Sequence, residues 1–229
     1  MEKKSNEKGL PAGRQAVVLL SGGLDSSTTL YSAKKKGFDC RALIFDYGQR
    51  HKKEIEAAKK IARLANCKWQ IVKIKLPWKG SSLLDKKQKL RVTSYGLRVT
   101  IPSTYVPARN IIFLSFALSY AEAIGAEKIF IGANAIDYSN YPDCRPGFFK
   151  AFSAAAKRGT KAGVEGKAIK IEIPLINKTK AQIVKLGKKL GVPFAITWSC
   201  YKGGARPCGA CDSCRLRAKG FKYAGINDK

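Results

Sequence analysis

Seven consecutive residues, Ser21, Gly22, Gly23, Leu24, Asp25, Ser26 and Ser27, follow directly on the apolar run 16–20, which ends at Leu20. A buried strand that empties into a glycine pair and then a helix start concentrates chemistry at one point. Unpaired backbone N–H groups, hydroxyls and the positive end of a helix dipole all converge there, which suits a phosphate group. The turn lacks the Gly-x-x-x-x-Gly-Lys-Ser/Thr spacing of the Walker loop, so a different phosphate grip is expected.

A second constellation lies near the C-terminus. Cys200, Cys208, Cys211 and Cys214 are separated by seven, two and two residues, with Gly203, Gly204 and Gly209 between them. Two-residue gaps let neighbouring thiolates fold back on one ion, and the glycines supply the turns. Four thiolates complete a tetrahedral Zn²⁺ and leave no place for water, so one structural zinc per chain is expected. An iron–sulfur cluster is the alternative that the same ligands serve. The other three of the seven cysteines, Cys40, Cys67 and Cys144, are dispersed. An odd count with one tight cluster points to a metal site plus reduced thiols, not to a disulfide framework.

The elements that must position these groups alternate. Strands are expected at 16–20, 41–45, 70–74, 128–131 and 169–173, and helices at 26–36, 52–64, 110–124 and 178–190. Gly37, Gly125 and Gly191 sit where the first, third and fourth helices should stop. Alternating strands and helices imply a parallel, doubly wound α/β sheet with ligands at the carboxyl ends of its strands. The first strand ends in the Ser-Gly-Gly turn, the second in Asp46-Tyr47-Gly48-Gln49 and the fourth in Gly132-Ala133-Asn134, so all three should meet on one rim. Residues 77–107 show no period and hold five of the prolines and glycines together with many basic residues, which reads as a lid or substrate loop.

Composition sets the remaining bounds. The chain has 229 residues, 45% of them apolar, enough for one large α/β domain with an appendage. No apolar run is long enough to span a membrane, and the charged N-terminal residues have no apolar stretch behind them, so a cytoplasmic protein is expected. Forty-four basic residues against 16 acidic ones give a net charge of +28. The charge is spread along the whole chain, which favours a solvated lysine-rich background over a dedicated RNA surface. Nucleic-acid binding is therefore expected to be at most non-specific.

The glycine turn resembles the pyrophosphate loop of ATP pyrophosphatases. The wider set is more specific: Ser21–Ser26, Asp46-Tyr47-Gly48-Gln49-Arg50-His51, Val106-Pro107-Ala108-Arg109-Asn110, Gly132-Ala133-Asn134, the run from Asp137 to Arg145, Pro174-Leu175 with Lys180-Ala181, and Thr197-Trp198-Ser199-Cys200-Tyr201 leading into the cysteines. In this order the motifs resemble the 7-cyano-7-deazaguanine synthase family, QueC. The resemblance implies a Rossmann-like PP-loop (HUP) architecture with a small C-terminal zinc knot. It implies an ATP-dependent carbon–nitrogen ligase, converting 7-carboxy-7-deazaguanine and ammonia to the nitrile through an adenylated intermediate for queuosine biosynthesis. The implied partners are the deazapurine acid, ammonia and ATP with Mg²⁺, and a homodimer is admitted. Ala108 departs from the glycine more usual there, and Gln182 from a frequent glutamate.

Roles follow for single residues. Leu20 to Ser27, Asp46 to Gln49, Asn110, Gly132 and Asn134 are expected to bind ATP. Asp25 suits Mg²⁺ or a helix cap. Lys180 suits the charge on the reacting phosphate; without the motif it would be one solvated lysine among many. Arg109 suits a carboxylate or phosphate, and Asn110 would serve equally as a helix cap. Asp137 and Asp143 are candidates for the substrate's N–H donors or Mg²⁺, against plain turn residues. His51, the sole histidine, is either structural or a phosphate contact and proton carrier. The expected organisation is a basic tail (1–14), an ATP-binding domain (15–195) and a metal-binding segment with a helix (196–229). A rival reading is a PP-loop ligase or thiolase acting directly on tRNA, which the +28 charge favours.

Overall fold

The computed structural model describes residues 14–77, 81–85, 101–136 and 141–228. Among these, five strands form one parallel sheet: β1 (Gln15–Leu19), β2 (Asp39–Asp46), β3 (Lys68–Lys73), β4 (Lys128–Phe130) and β5 (Lys170–Glu172). Their order is β3-β2-β1-β4-β5. The chain steps outward from β1 to β3, returns to the centre for β4, and steps outward the other way to β5. β1 therefore pairs on both sides, Val17 standing opposite Arg41 of β2 and Ile129 of β4. The point where the winding reverses, between β1 and β4, leaves a crevice at their carboxyl ends.

Helices cover both faces. α1 (Leu24–Lys35) and α2 (Lys53–Leu64) lie on one side, where Leu30, Ile55, Ala58 and Ile61 pack on Val18, Ile44 and Phe130. α3 (Arg109–Ala123) and α4 (Pro146–Gly159) lie on the other, with Leu114, Ala117, Ala121 and Phe149 against Val17, Leu43 and Ile129. Burial on both faces explains why the central strand reads as a continuous apolar run without alternation. A short helix α5 (Lys161–Val164) precedes β5. α6 (Lys180–Lys189) and α7 (Asp212–Ala224) form a third apolar cluster in which Ile183, Val184 and Phe221 meet Leu24 and Leu175.

All five expected strands are present with ends shifted by one or two residues, and the four expected helices likewise. The sequence reading passed over α4, whose Phe149 and Ala156 are buried with Phe148 and Phe152 packed against the core. Residues 1–13 of the expected tail lie outside the described residues. So do residues 78–80 and 86–100 of the expected lid. The parts of that stretch that are described are tied together: the Ser82 N–H donates to the Ser103 carbonyl at 2.8 Å, and Leu83 and Val106 are buried in the core. Among the described residues no helix is long and apolar enough to cross a membrane.

Candidate active site

The Ser-Gly-Gly turn is built by close approach. Gly22 has φ +81°, and a Cβ there would stand 2.4 Å from the Glu54 carbonyl oxygen and 2.6 Å from the Ala58 nitrogen. Glycine is thus required twice, for the left-handed backbone and for the contact with the first turns of α2. The Gly22 carbonyl accepts the Trp198 N–H at 2.9 Å. Gly23 is the N-cap of α1 and no side chain caps that helix, so Asp25 does not serve as a cap. The hydroxyls are ordered: Ser21 Oγ and Ser26 Oγ lie 3.0 Å apart, and the Ser27 hydroxyl donates to the Gly23 carbonyl at 2.7 Å. Where β4 ends, Gly132 passes the start of α1; a Cβ would lie 3.0 Å from the backbone of Asp25 and Ser26.

Lys180, the first residue of α6, donates to both carboxylate oxygens of Asp25 at 2.9 and 2.8 Å. Its side chain is 15% exposed and that of Asp25 is 25% exposed. Two features place it. The N-cap Thr179 and Gln182 form a reciprocal capping box that fixes the helix start. Gly220 of α7 faces the Lys180 stem, where a Cβ would come 2.4 Å from Cγ. Asn134 secures the same corner from the sheet, donating to the Leu175 carbonyl at 3.2 Å and to that of Lys178, while its Oδ1 accepts the Ile136 N–H.

A cavity of about 330 Å³ opens along this rim. Its lining includes Ser21, Gly23, Asp25, Ser26 and Lys180 together with Tyr47, Glu54, Arg109, Tyr141 and Tyr201. Arg109 donates to the Tyr47 hydroxyl at 3.2 Å and lies over that ring. Burial opposes its charge, but Tyr47, Tyr141 and Asp143 around it outweigh that and hold it firmly cationic. Burial also raises the Tyr47, Tyr141 and Tyr201 phenols, which therefore stay protonated donors at neutral pH. Glu54 lines the cavity as well, and burial pushes its carboxyl up to about 7, with Arg109 pulling the other way.

Of the other residues singled out in the sequence, Leu20, Leu24, Gln49, His51, Asn110, Gly132 and Asn134 line the cavity. Gly22, Ser27, Asp46, Gly48 and Asp143 stand outside the lining. Asp46 instead faces Lys52 at 3.8 Å. Asp143 is buried and committed: its Oδ2 accepts the Asn110 N–H at 2.9 Å, and the Asn110 amide donates to the Asp143 carbonyl at 3.1 Å. Asn110 thus latches α3 to the 142–144 turn and is not its cap, which is Ala108 with φ 55°. Asp137 lies outside the described residues. His51 donates from Nε2 to the Cys200 carbonyl at 2.9 Å, since a carbonyl only accepts; Trp198 Nε1 donates to the same oxygen at 2.9 Å. Burial lowers the histidine's pKa, and among the described residues its buried Nδ1 has no hydrogen-bond partner.

Glu54, Tyr201 and Cys144 are cavity residues that the sequence reading missed as site members. Glu54 had one available signal. It is an acidic residue in the first turn of a helix that follows directly on the carboxyl end of β2.

The sulfur atoms of Cys200, Cys208, Cys211 and Cys214 all lie within 4.8 Å of one another. Tetrahedral Zn–S bonds of about 2.3 Å put sulfurs about 3.8 Å apart, so the cluster has the size for one ion. Backbone N–H groups of Lys202 and Cys208 point at the Cys200 sulfur at 3.4 and 3.3 Å, and that of Cys211 at the Cys208 sulfur at 3.4 Å. Burial resists ionisation of Cys208, but backbone N–H groups of Cys211 and Ala210 overcome it and bring the thiol down to about 6. These donors suit thiolates, and the residues present fit a metal ion. Cys211 is also the N-cap of α7, so the knot sets the helix whose Gly220 accommodates Lys180.

With this geometry in hand, comparison with known proteins is specific. The family profile described as "Queuosine biosynthesis protein QueC" matches residues 15–225. The chain is 55% identical over 216 residues to the 7-cyano-7-deazaguanine synthase of Acetivibrio thermocellus, covering 94% of this chain and 96% of that one. It is 53% identical over 218 residues to the same enzyme of Nostoc punctiforme, covering 93% and 97%. Among solved structures, NMN synthetase from Francisella tularensis aligns at TM-score 0.50 and 18% identity, covering 95% of this chain and 80% of that one. A 4-thiouridine synthetase–RNA complex with bound ATP aligns at 0.51 and 18%, covering 91% and 53%. These two share the fold alone. The near-full-length match to the profile and to relatives above 50% identity decides the family: this chain belongs to the QueC family of queuosine biosynthesis proteins.

Proposed function

We propose that the chain is an ATP-dependent ligase that converts 7-carboxy-7-deazaguanine and ammonia to 7-cyano-7-deazaguanine in queuosine precursor biosynthesis. The observation that carries this is a single cavity lined both by the Ser-Gly-Gly turn with its Asp25–Lys180 pair and by the Arg109 guanidinium. Relatives named for this reaction across almost the whole chain support it.

A carboxylate resists ammonia because its leaving group would be oxide. Attack of the substrate carboxylate on the α-phosphorus of ATP forms an acyl adenylate and releases pyrophosphate. Ammonia then displaces AMP to give an amide. A second activation at the amide oxygen, followed by loss of AMP and the N–H protons, gives the nitrile. In this reading the N–H groups and hydroxyls of Ser21 to Ser27 hold the departing pyrophosphate. Lys180 neutralises charge on the reacting phosphate, and Asp25 orients Lys180 and serves Mg²⁺. Arg109 serves as a substrate or phosphate contact. Zinc at the four cysteines has a structural part, since four thiolates leave it no open position.

The test is product analysis by mass spectrometry with the acid, ATP and ammonium. Nitrile with AMP and pyrophosphate supports the reading. ATP cleavage that requires tRNA, with no nitrile from the free acid, replaces it by a ligase acting on RNA, the reading that the +28 charge would favour.

A further inference from the structure

The sequence offered Asp137 and Asp143 as acceptors for the N–H edge of a guanine-like ring. Asp143 is taken up by Asn110 and stands outside the cavity. Two carboxylates line the cavity among the described residues: Asp25, which Lys180 holds, and Glu54. Its place is fixed by the main chain: the Glu54 carbonyl is packed against Gly22, so the first turn of α2 cannot move without the phosphate turn. Among the described residues no hydrogen bond or ion pair meets its carboxyl oxygens, and Arg109 acts on it only through its charge. Arg109 itself is engaged with the Tyr47 hydroxyl. Glu54 is half-buried and lines the cavity, so its carboxyl oxygens are open to donors that a bound ligand brings.

We propose that the Glu54 carboxylate reads the ring edge of the acid substrate, accepting N1–H and one 2-amino hydrogen, and so sets specificity for a 2-amino-4-oxo pyrimidine ring. The proposal rests on the function proposed above. Its chemistry selects among the ligands of the cavity. Two adjacent N–H donors match two carboxylate oxygens, as a guanine-type edge provides. Adenine offers an N–H beside the bare N1 lone pair, which would face an oxygen, so ATP is a poor occupant. The Arg109 cation nearby disfavours an ammonium ion there. The groups facing Glu54 are Arg109 from α3, Tyr47 after β2 and Tyr201 beside the knot. Ligand donors would favour its ionised form against the effect of burial.

The experiment compares the acid with its 2-deamino analogue, 7-carboxy-7-deazahypoxanthine, in the full-length, metal-loaded protein. Wild type should prefer the acid by about 10²–10⁴ in kcat/KM, because the analogue fills the cavity but lacks one of the two N–H donors for the carboxylate. Glu54→Gln should lower kcat/KM for the acid at least about 10²-fold, shrink the preference to within about tenfold, and leave KM for ATP unchanged. Glu54→Asp should keep the preference at reduced efficiency. A wild-type preference below about tenfold overturns the proposal whatever the variants do. So does a Glu54→Gln protein that keeps the full preference, or whose KM rises for ATP in place of the acid. So does one that loses kcat with both KM values unchanged, since that marks proton transfer. A wild type that makes no nitrile from the acid instead defeats the functional reading itself.

Discussion

Lys180 Nζ lies 2.9 and 2.8 Å from the two carboxylate oxygens of Asp25, although 155 positions separate them in the chain. The pair joins the start of α1 to the start of α6 and so places a cation and an anion together at the phosphate turn. Asp25→Asn or Lys180→Met should reduce nitrile formation by about 10²–10³, in the range of losing one charged stabiliser. Removing one partner also takes away the opposite charge from the other at a mostly buried position, so the double variant should melt higher than the sum of the two single losses predicts. Turnover and melting curves of the two singles and the double check both statements. Near-normal turnover in Asp25→Asn removes the pair from the chemistry.

The same lysine reports on α7. A Cβ on Gly220 would meet Lys180 Cγ at 2.4 Å and Cβ at 3.0 Å, too close for the stem to keep its path. Gly220→Ala should therefore push Nζ off Asp25 and lower turnover by about tenfold or more, as misplacement of a positioned group does. Metal content and helical signal should stay as in wild type. Turnover equal to wild type would mean that Lys180 has another route to Asp25.

Metal removal should act through the same helix. Four sulfurs within 4.8 Å of one another predict about one Zn²⁺ per chain, and Cys211 is both cluster member and N-cap of α7. Cys211→Ser should lose metal and lower the melting temperature before it alters which product is made. Metal analysis with thermal melting checks this. Iron with labile sulfide, or a metal-free protein that melts like wild type, would reject it.

Ala108 shows where the sequence was legible and where it stopped. Its place in the Val106–Asn110 motif marked it as a departure from glycine, and the structure puts it at φ 55°, the left-handed conformation that glycine adopts freely. Ala108→Gly should relieve that strain, offset in part by greater freedom of the unfolded chain, for a net gain of up to about 1 kcal/mol. A melting temperature unchanged or lowered would show that the tertiary contacts carry the strain without cost. The strands, the Ser-Gly-Gly turn and the cysteine cluster were readable because each depends on local order: an apolar run, a glycine pair, a fixed spacing. The partners of Lys180 and Asp143 were not, because both depend on which helix starts the fold brings together. Glu54 was passed over for the same reason. Nothing in its neighbours states that a first-turn glutamate faces a cavity.

Glu54 also predicts a pH signature that its role as a ligand acceptor would leave on stability. Burial pushes its carboxyl up to about 7, above the value of about 4.5 that the unfolded chain would have. A group raised in this way contributes stability that is full below the unfolded pKa and is lost as pH rises through the folded one. Across pH 4.5 to 7 the ligand-free protein should therefore lose stability at this residue, by at most about 3 kcal/mol. Glu54→Gln removes the penalty. It should melt above wild type at pH 8 without substrate, with the gap closing by pH 5. Adding the acid substrate should reverse the order at pH 8, because its N–H donors favour the ionised wild-type carboxylate and find less in the amide. Melting curves at the two pH values, with and without the acid, check each sign separately. Glu54→Gln less stable than wild type at pH 8 in the ligand-free state would place a protein partner on the carboxylate and remove the vacancy that the substrate is expected to fill.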